Sequence, residues 1–358
     1  MRIDAIRVHH VSKPLQRRLV NSLFSIERME HVLLEMDAGG MTGLGFVYSI
    51  DANQAKAVRA MMDGFARTMI GRDTDLIRLH WNAAQAAING IGQTGMPVVA
   101  WAAFDVALWD LMAKQAGLPL YKLLGASCSE VPVYASGGWL VPLDELVQEA
   151  LDYKAQGFRH YKMKVGCADV REDLGRVEAV RSALGDGVEV MVDANQGWTV
   201  KKSIAVAPRL LELGVHWLEE PVPARDYRGQ AEIRKSTAIE VVAGESLFTL
   251  TEMFELMRNG CVDVLNPDLQ RCGGVTEFMQ VCALANAYRI QVSSHVFTEA
   301  SAHLVAAAPT ALHAEYIPDW WRGIFTREPD IADGMLRLGG EPGLGVEFDH
   351  GFIESHAA

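Results

Sequence analysis

The chain has 358 residues, enough for roughly two domains at about 150 residues each. With 49% hydrophobic and 22% charged residues it reads as globular, which excludes disorder, collagen and a continuous coiled coil. Its 45 acidic against 33 basic residues give a net charge of −12, which argues against nucleic acid and an anionic membrane surface as partners.

The start, Met1-Arg-Ile-Asp-Ala-Ile-Arg-Val, lacks the apolar core of a signal peptide and reads as a first strand. Ile6, Val8 and the run Val32-Leu33-Leu34-Glu35-Met36 predict strands over residues 1 to about 50, with Gly39-Gly40 and Gly43-x-Gly45 as turn signals. From Asn53 to Leu124 the pattern is helical. Its strongest segment runs from Ala100 through Asp105, Trp109 and Asp110 and is stopped by Gly117 and Pro119. The longest apolar stretch, Met96 to Phe104, ends at Asp105 and is too short to cross a bilayer. Five cysteines (Cys128, Cys167, Cys261, Cys272, Cys282) show no C-x-x-C spacing, so free thiols and a cytoplasmic location are expected. Gly90-Ile-Gly92-Gln-Thr-Gly95 matches a dinucleotide-binding fingerprint in letters only. It follows a helical stretch with no βαβ unit around it, and is a loop.

From Val131 onward, short apolar runs alternate with amphipathic helices. The predicted strands are Val131–Ser136, Tyr161–Val165, Glu189–Asp193, Trp217–Glu219, Val241–Gly244, Asp263–Asn266, Gln291–Ser293 and His313–Glu315. Eight strands with seven intervening helices mean a parallel sheet close to a (β/α)₈ barrel. The predicted organisation is an α+β unit over 1–125, a barrel over 126–324, and a Gly/Pro-rich tail from about 325 to 358 that returns to the first unit.

Barrel enzymes carry their chemistry at the C-terminal ends of the strands. Read in order, those ends supply Lys162 and Lys164, Asp193 and Asn195, Glu219 and Glu220, Glu245, Asp268, His295 and Glu315. Asp193, Glu219 and Glu245 come from consecutive strands, each 26 residues after the last. Three converging carboxylates repel unless a cation neutralises them, and hard oxygen donors favour Mg²⁺ over salt bridges to neighbouring lysines. Glu220 is expected to point away, since adjacent strand residues alternate faces. Lys162 and Lys164 share one face, and their mutual repulsion is expected to lower at least one pKa toward a general base. Asp268 is expected to orient His295. A competing pattern, His295, Glu299 and His303 as a helical metal stripe, requires His295 to lie inside the helix. Trp139, Trp198, Trp320, Trp321 and Phe24 fall near strand ends or in a loop, and the sequence gives none of them a role.

These residues resemble the enolase superfamily, and within it the mandelate racemase group. The resemblance lies in Lys162-Met-Lys164, Asp193-Ala-Asn195, Trp217-Leu-Glu219-Glu220-Pro221, Gly244-Glu245, Asn266-Pro267-Asp268, Ser293-Ser294-His295 and Glu315. It implies a modified TIM barrel, (β/α)₇β, with an N-terminal α+β capping domain. It implies Mg²⁺ on Asp193, Glu219 and Glu245, and Lys164 and His295 as acid/base catalysts on opposite faces of a substrate α-carbon. Lys162 and a neutral Glu315 would bind the substrate carboxylate, with Asn195 near its 2-substituent. A homo-oligomer, often an octamer, is also implied. Removing a proton α to a carboxylate gives an enediolate, which a cation, an ammonium and a neutral acid stabilise more than the substrate. Two opposed bases permit racemisation or epimerisation of a 2-hydroxy acid, the leading expectation. They also permit dehydration of an acid sugar to a 3-deoxy-2-oxo acid. The segment Tyr134-Ala-Ser136-Gly-Gly-Trp139 departs from mandelate racemase itself. A non-catalytic carboxylate-binding protein would lack catalytic residues, and none is missing. Specificity is expected to depend on a loop after Leu15 and on Arg17, Phe24, Arg28 and Trp320.

Overall fold

The computed structural model describes residues 1–358. It opens with an antiparallel meander of β1 (Ile3–Val20), β2 (Ser25–Ala38) and β3 (Met41–Ser49), in the order β1-β2-β3. The central strand β2 is apolar without alternation because both of its faces are covered. Val32, Leu34 and Met36 enter the core under the cap helices, while Met29 and Leu33 enter the one shared with the barrel mouth. The expected loop after Leu15 is instead the end of β1, bulged between Pro14 and Leu19, and the turn lies at 21–24.

Four helices follow: α1 (Ala52–Met69), α2 (Ile77–Ile88), α3 (Met96–Gln115) and α4 (Leu120–Leu123). The residues Gly43 and Gly45 lie inside β3 rather than at a turn. A Cβ on Gly45 would sit 1.8 Å from the Ala103 carbonyl oxygen, so glycine is what allows α3 to lie directly on the strand. By length and composition α3 could cross a membrane, yet 78% of its apolar window is buried inside the fold. Two aspartates anchor it. Asp105 accepts from Thr276 N at 2.9 Å and Oγ1 at 2.6 Å, and Asp110 accepts from Leu44 N at 2.9 Å and Leu344 N at 2.8 Å. The Gly90–Gly95 segment begins in a 3₁₀ turn, Asn89–Ile91, that follows α2, and continues as a loop.

The barrel strands are β4 (Glu130–Ser136), β5 (His160–Lys164), β6 (Glu189–Asp193), β7 (Val215–Glu219), β8 (Glu240–Ala243), β9 (Val264–Leu265), β10 (Gln291–Val292) and β11 (Ala314–Tyr316). Neighbours pair in parallel from β4 through β10. The ring closes where Glu315 of β11 pairs Tyr134 of β4, and where Leu312 N donates to Val292 O at 2.7 Å. Crossovers are α5 (Leu143–Ala155), α6 (Val170–Leu184), α7 (Val200–Glu212), α8 (Tyr227–Ser236), α9 (Thr249–Arg258), the pair α10 (Leu269–Cys272) and α11 (Val275–Tyr288), and α12 (Thr298–Ala307). The fold is a (β/α)₇β barrel under an α+β cap.

The tail serves both units. After α13 (Pro318–Trp321), β12 (Ile331–Ala332) and β13 (Met335–Arg337) form a hairpin whose second strand pairs antiparallel with Glu130–Pro132 of β4. The segments on both sides of this hairpin reach the cap. Phe325 packs edge-on against Phe46 at 5.1 Å, Phe348 packs on both, and beyond α14 (His350–Ser355) Ala357 bridges Val11.

Candidate active site at the barrel mouth

Each barrel strand is buried on both faces, so a charged residue at its end has only the mouth to point into. There Asp193, Glu219 and Glu245 converge, their donor oxygens within 4.8 Å of one another and all three residues buried. Glu219 Oε2 is buried without a hydrogen-bond partner, and Glu245 Oε2 makes none while lying 3.3 Å from His295 Nε2. Asparagines fix three of the other carboxylate oxygens. Asn195 donates to Asp193 through its backbone N at 2.7 Å and Nδ2 at 3.0 Å, and Asn266 Nδ2 donates to Glu219 Oε1 at 3.0 Å. Burial, together with Asp193 and Glu245, pushes the Glu219 carboxyl well above its usual range despite Lys162. Clustered, dehydrated oxygens left with free lone pairs fit a small hard dication, and Mg²⁺ suits that donor set. Glu220 does turn away, to Gln196 Nε2 at 2.9 Å and Ser246 Oγ at 3.1 Å, but it is fully buried. Its dehydrated carboxyl rises to about 8.

The two lysines depart from expectation. Lys162 Nζ lies 2.8 Å from Glu219 Oε1 and 2.9 Å from Glu315 Oε1, and Lys164 Nζ lies 2.5 Å from Asp193 Oδ2. Burial acts to lower both, but the surrounding carboxylates outweigh burial and the mutual repulsion together, so both ammonium groups are pushed up. Lys162 is wholly enclosed behind the mouth, whereas Lys164 lines the cavity. Glu315, expected as a neutral acid, is held down at about 2. Burial opposes this, but Lys162 and His295 prevail.

His295 lies in the loop between β10 and α12, followed by Val296 and Phe297 at φ of 48° and 54°, two strained non-glycine residues that aim its ring. Its Nδ1 faces Asp268 Oδ2 at 2.7 Å, which makes Nδ1 the protonated nitrogen and leaves Nε2 on the Glu245 side. Burial acts to lower its pKa, and Glu245, Glu315 and Asp268 together raise it. Asp268 does not end a strand; it caps α10, accepting from Arg271 N at 2.9 Å, and bridges His295 beyond β9. The alternative metal stripe fails. His295 is outside α12, and His303 is spent on Tyr121 N at 3.2 Å and Leu344 O at 3.1 Å.

Beside these groups opens a cavity of about 420 Å³. The barrel contributes Lys164, Asn195, Glu245, His295 and Glu315. The cap contributes Asn21, Phe24, Tyr48, Gln54 and Met96, most of which sequence reading missed. Trp139 and Trp320 also line it, while Trp198 and Trp321 belong to core clusters. Arg17 and Arg28 do not line it: Arg17 pairs with Glu149, and Arg28 Nε donates to Ser12 Oγ at 2.9 Å. Tyr48 Oη lies 3.5 Å from Asp268 Oδ2, so the cap reaches the His295–Asp268 pair.

Residues 3–125 match the N-terminal domain model of the mandelate racemase/muconate lactonizing enzyme family, and residues 145–351 match the enolase C-terminal domain-like model. The 3,6-anhydro-alpha-L-galactonate cycloisomerase of Streptomyces coelicolor is 36% identical over 355 residues, covering 97% of each chain. Among solved structures, a racemase from Streptomyces coelicolor A3(2) with bound magnesium superposes with a TM-score of 0.96 at 33% identity, covering 99% of this chain and 100% of that one. L-Talarate dehydratase from Polaromonas sp. JS666, complexed with Mg and L-glucarate, gives 0.94 at 33% identity, covering 100% and 97%. The chain therefore belongs to the enolase superfamily, in its mandelate racemase/muconate lactonizing enzyme branch, and is a Mg²⁺-dependent enzyme of the isomerase or dehydratase kind.

Proposed function

We propose that the enzyme abstracts the α-proton of a 2-hydroxycarboxylate of the acid-sugar class and expels the 3-oxygen, giving a 3-deoxy-2-oxo acid. The observation that carries the proton abstraction is the pairing of two acid/base groups across one mouth. Lys164 rises from β5 and the Asp268-oriented His295 from the far side of the ring, with the carboxylate triad on the strands between them. Bound on Asp193, Glu219 and Glu245, Mg²⁺ supplies positive charge where the substrate carboxylate gains electron density.

The group in its neutral form takes the α-proton, a form that Lys164 would reach once a cation on the triad offsets the Asp193 charge that holds its ammonium up, and the C–H electron pair moves into the carboxylate to form the enediolate. As that collapses, the C3–O bond breaks and the other group protonates the departing oxygen. The resulting enol takes its final proton at C3 and becomes the 2-oxo acid. Lys162 places a buried ammonium behind Glu315. A substrate carboxylate entering beside Glu315 drives its pKa back up, and the protonated acid then donates to the enediolate oxygens. The order of preference thus differs from the first expectation, because a cycloisomerase and a dehydratase of acid sugars stand among the relatives. Racemisation is the second reading, favoured by the neighbour described as a racemase.

The test is proton NMR of enzyme with Mg²⁺ in D₂O against aldonates, aldarates and simple 2-hydroxy acids. Loss of the α-proton with new 3-deoxy-2-oxo acid signals is the expected result. Loss of that signal without a new compound points to racemisation, and retention of every α-proton refutes the proposal.

A further inference from the structure

One residue of the cap bonds to the acid/base machinery itself. Tyr48, the next-to-last residue of β3, is buried where the cap meets the barrel. Its hydroxyl has a single hydrogen-bond partner, Asp268 Oδ2 at 3.5 Å. A phenol facing a carboxylate is the donor, so Oδ2 takes two donors, Tyr48 Oη and His295 Nδ1, the latter at 2.7 Å. The other oxygen, Oδ1, accepts from Arg271 N at 2.9 Å as the N-cap of α10.

A carboxylate anchored at one oxygen can still turn about its Cβ–Cγ bond, where the torsional well is broad. Oδ2 is the oxygen that sets the imidazole, and the Tyr48 hydroxyl resists that turn from the cap side. Tyr48 is itself well fixed. Its backbone N donates to Gln270 Oε1 at 2.9 Å, and Gln270 lies on α10 two residues after Asp268. Its ring packs 4.9 Å from Trp320 and 5.5 Å from Phe297, one of the strained residues that follow His295. One cap side chain thus touches both supports of the imidazole, the carboxylate and the strained loop. Lys164 is held differently. The Asp193 carboxylate beside it takes its hydrogen bonds from Lys164 and Asn195, both of the barrel.

We propose that Tyr48 is a positioning residue for His295, acting through Asp268, so that docking of the cap sets one of the two acid/base groups while the barrel alone sets the other. This rests on the reading of His295 as an acid/base group given above.

The test is Tyr48→Phe, which removes the hydroxyl but keeps the ring and the backbone bond to Gln270. A first readout needs no substrate: proton NMR of the low-field His295 Nδ1–H resonance in the Mg²⁺-loaded enzyme, identified by its loss in His295→Asn. The variant should shift this resonance and speed its exchange with water. An unchanged resonance overturns the proposal whatever the substrate is. The second readout is α-proton exchange in D₂O, with the two faces told apart by Lys164→Ala and His295→Asn. Exchange at the His295 face should fall about tenfold, the effect of one hydrogen bond to a charged group. Exchange at the Lys164 face, and KM, should change less than about threefold. In an Asp268→Asn background the same substitution should cost nothing further. Equal losses at both faces, or a tenfold loss that persists without the Asp268 carboxylate, would place the hydroxyl on the substrate or in the fold and overturn the proposal. A shifted resonance with no α-proton loss from any acid would overturn the functional reading and leave the positioning of the ring standing.

Discussion

Replacing Lys162 with Met should destabilise the folded protein even with no substrate or metal present. The Lys162 ammonium is fully buried and lies 2.8 Å from Glu219 and 2.9 Å from Glu315, so one cation serves two dehydrated carboxylates. Glu315 is held at about 2 instead of 4.5 although burial pushes it the other way. A depression of that size corresponds to roughly 3 kcal/mol of folding free energy at neutral pH. Breaking a buried ion pair by removing one partner costs about 3–5 kcal/mol, which is the same range. For a chain of this length such a loss lowers Tm by roughly 4–7 °C. The sign of the pH dependence follows from the direction of the shift. A depressed carboxyl contributes stability that is present above its unfolded pKa and is lost as pH falls toward about 2. In Lys162→Met the largest of the charges that hold Glu315 down is gone, leaving His295 and Lys164 against burial, so the carboxyl moves back toward protonation. The deficit relative to the parent should therefore be largest near neutral pH and narrow toward pH 4. Thermal melts of both proteins in EDTA across that range measure it. Equal melting within about 1 °C at pH 7, or a deficit that widens on acidification, would refute the account of Lys162 as the counter-charge of this network.

Other outcomes follow from the same geometry. Mg²⁺ at about one hundred times its dissociation constant should stabilise the parent by roughly 2.7 kcal/mol. Asp193→Asn, which removes one of the three triad carboxylates, should abolish that gain in a melting titration. Asp268→Asn leaves His295 Nδ1 without its carboxylate and should lower turnover about 10²–10⁴-fold. Deuterium exchange at the α-carbon face served by Lys164 should survive this change, and its loss would show that Asp268 serves more than His295. Asp105 is fully buried, and burial raises its carboxyl to about 7 despite bonds from Thr276. A raised carboxyl contributes stability below its unfolded pKa that disappears as pH rises through about 7. Asp105→Asn should therefore flatten the stability profile between pH 4 and pH 7, and leave the protein at least as stable as the parent at pH 8 in urea titrations.

The barrel was legible because its physics is local. Strands such as Glu189–Asp193 are short apolar runs between amphipathic helices, and a charge at the end of a doubly buried strand can face only the mouth. That reasoning reached Asp193, Glu219, Glu245, Lys164 and His295 without distances. It failed wherever the answer depended on what arrives from elsewhere in the chain. Lys162 and Lys164 were read as a repelling pair, since sequence shows them two residues apart. It does not show Glu219 or Glu315, which lie 57 and 153 positions away along the chain and invert the balance. Gly45 looked like a turn because nothing nearby in sequence reveals that α3 will rest on it. Arg17 and Arg28 were placed near the substrate, but the bulged end of β1 directs Arg17 to Glu149, and Arg28, on β2 opposite Pro14, turns to Ser12. Asn21 and Tyr48 were missed for the converse reason. Each is an ordinary residue of a hairpin until the cap closes on the barrel and sets it in the cavity wall. The residues that define the shared chemistry sit on rigid strand ends and are fixed by local pattern. Those that close the cavity from above come from a second unit, and docking of the two units is a tertiary contact that no local pattern encodes.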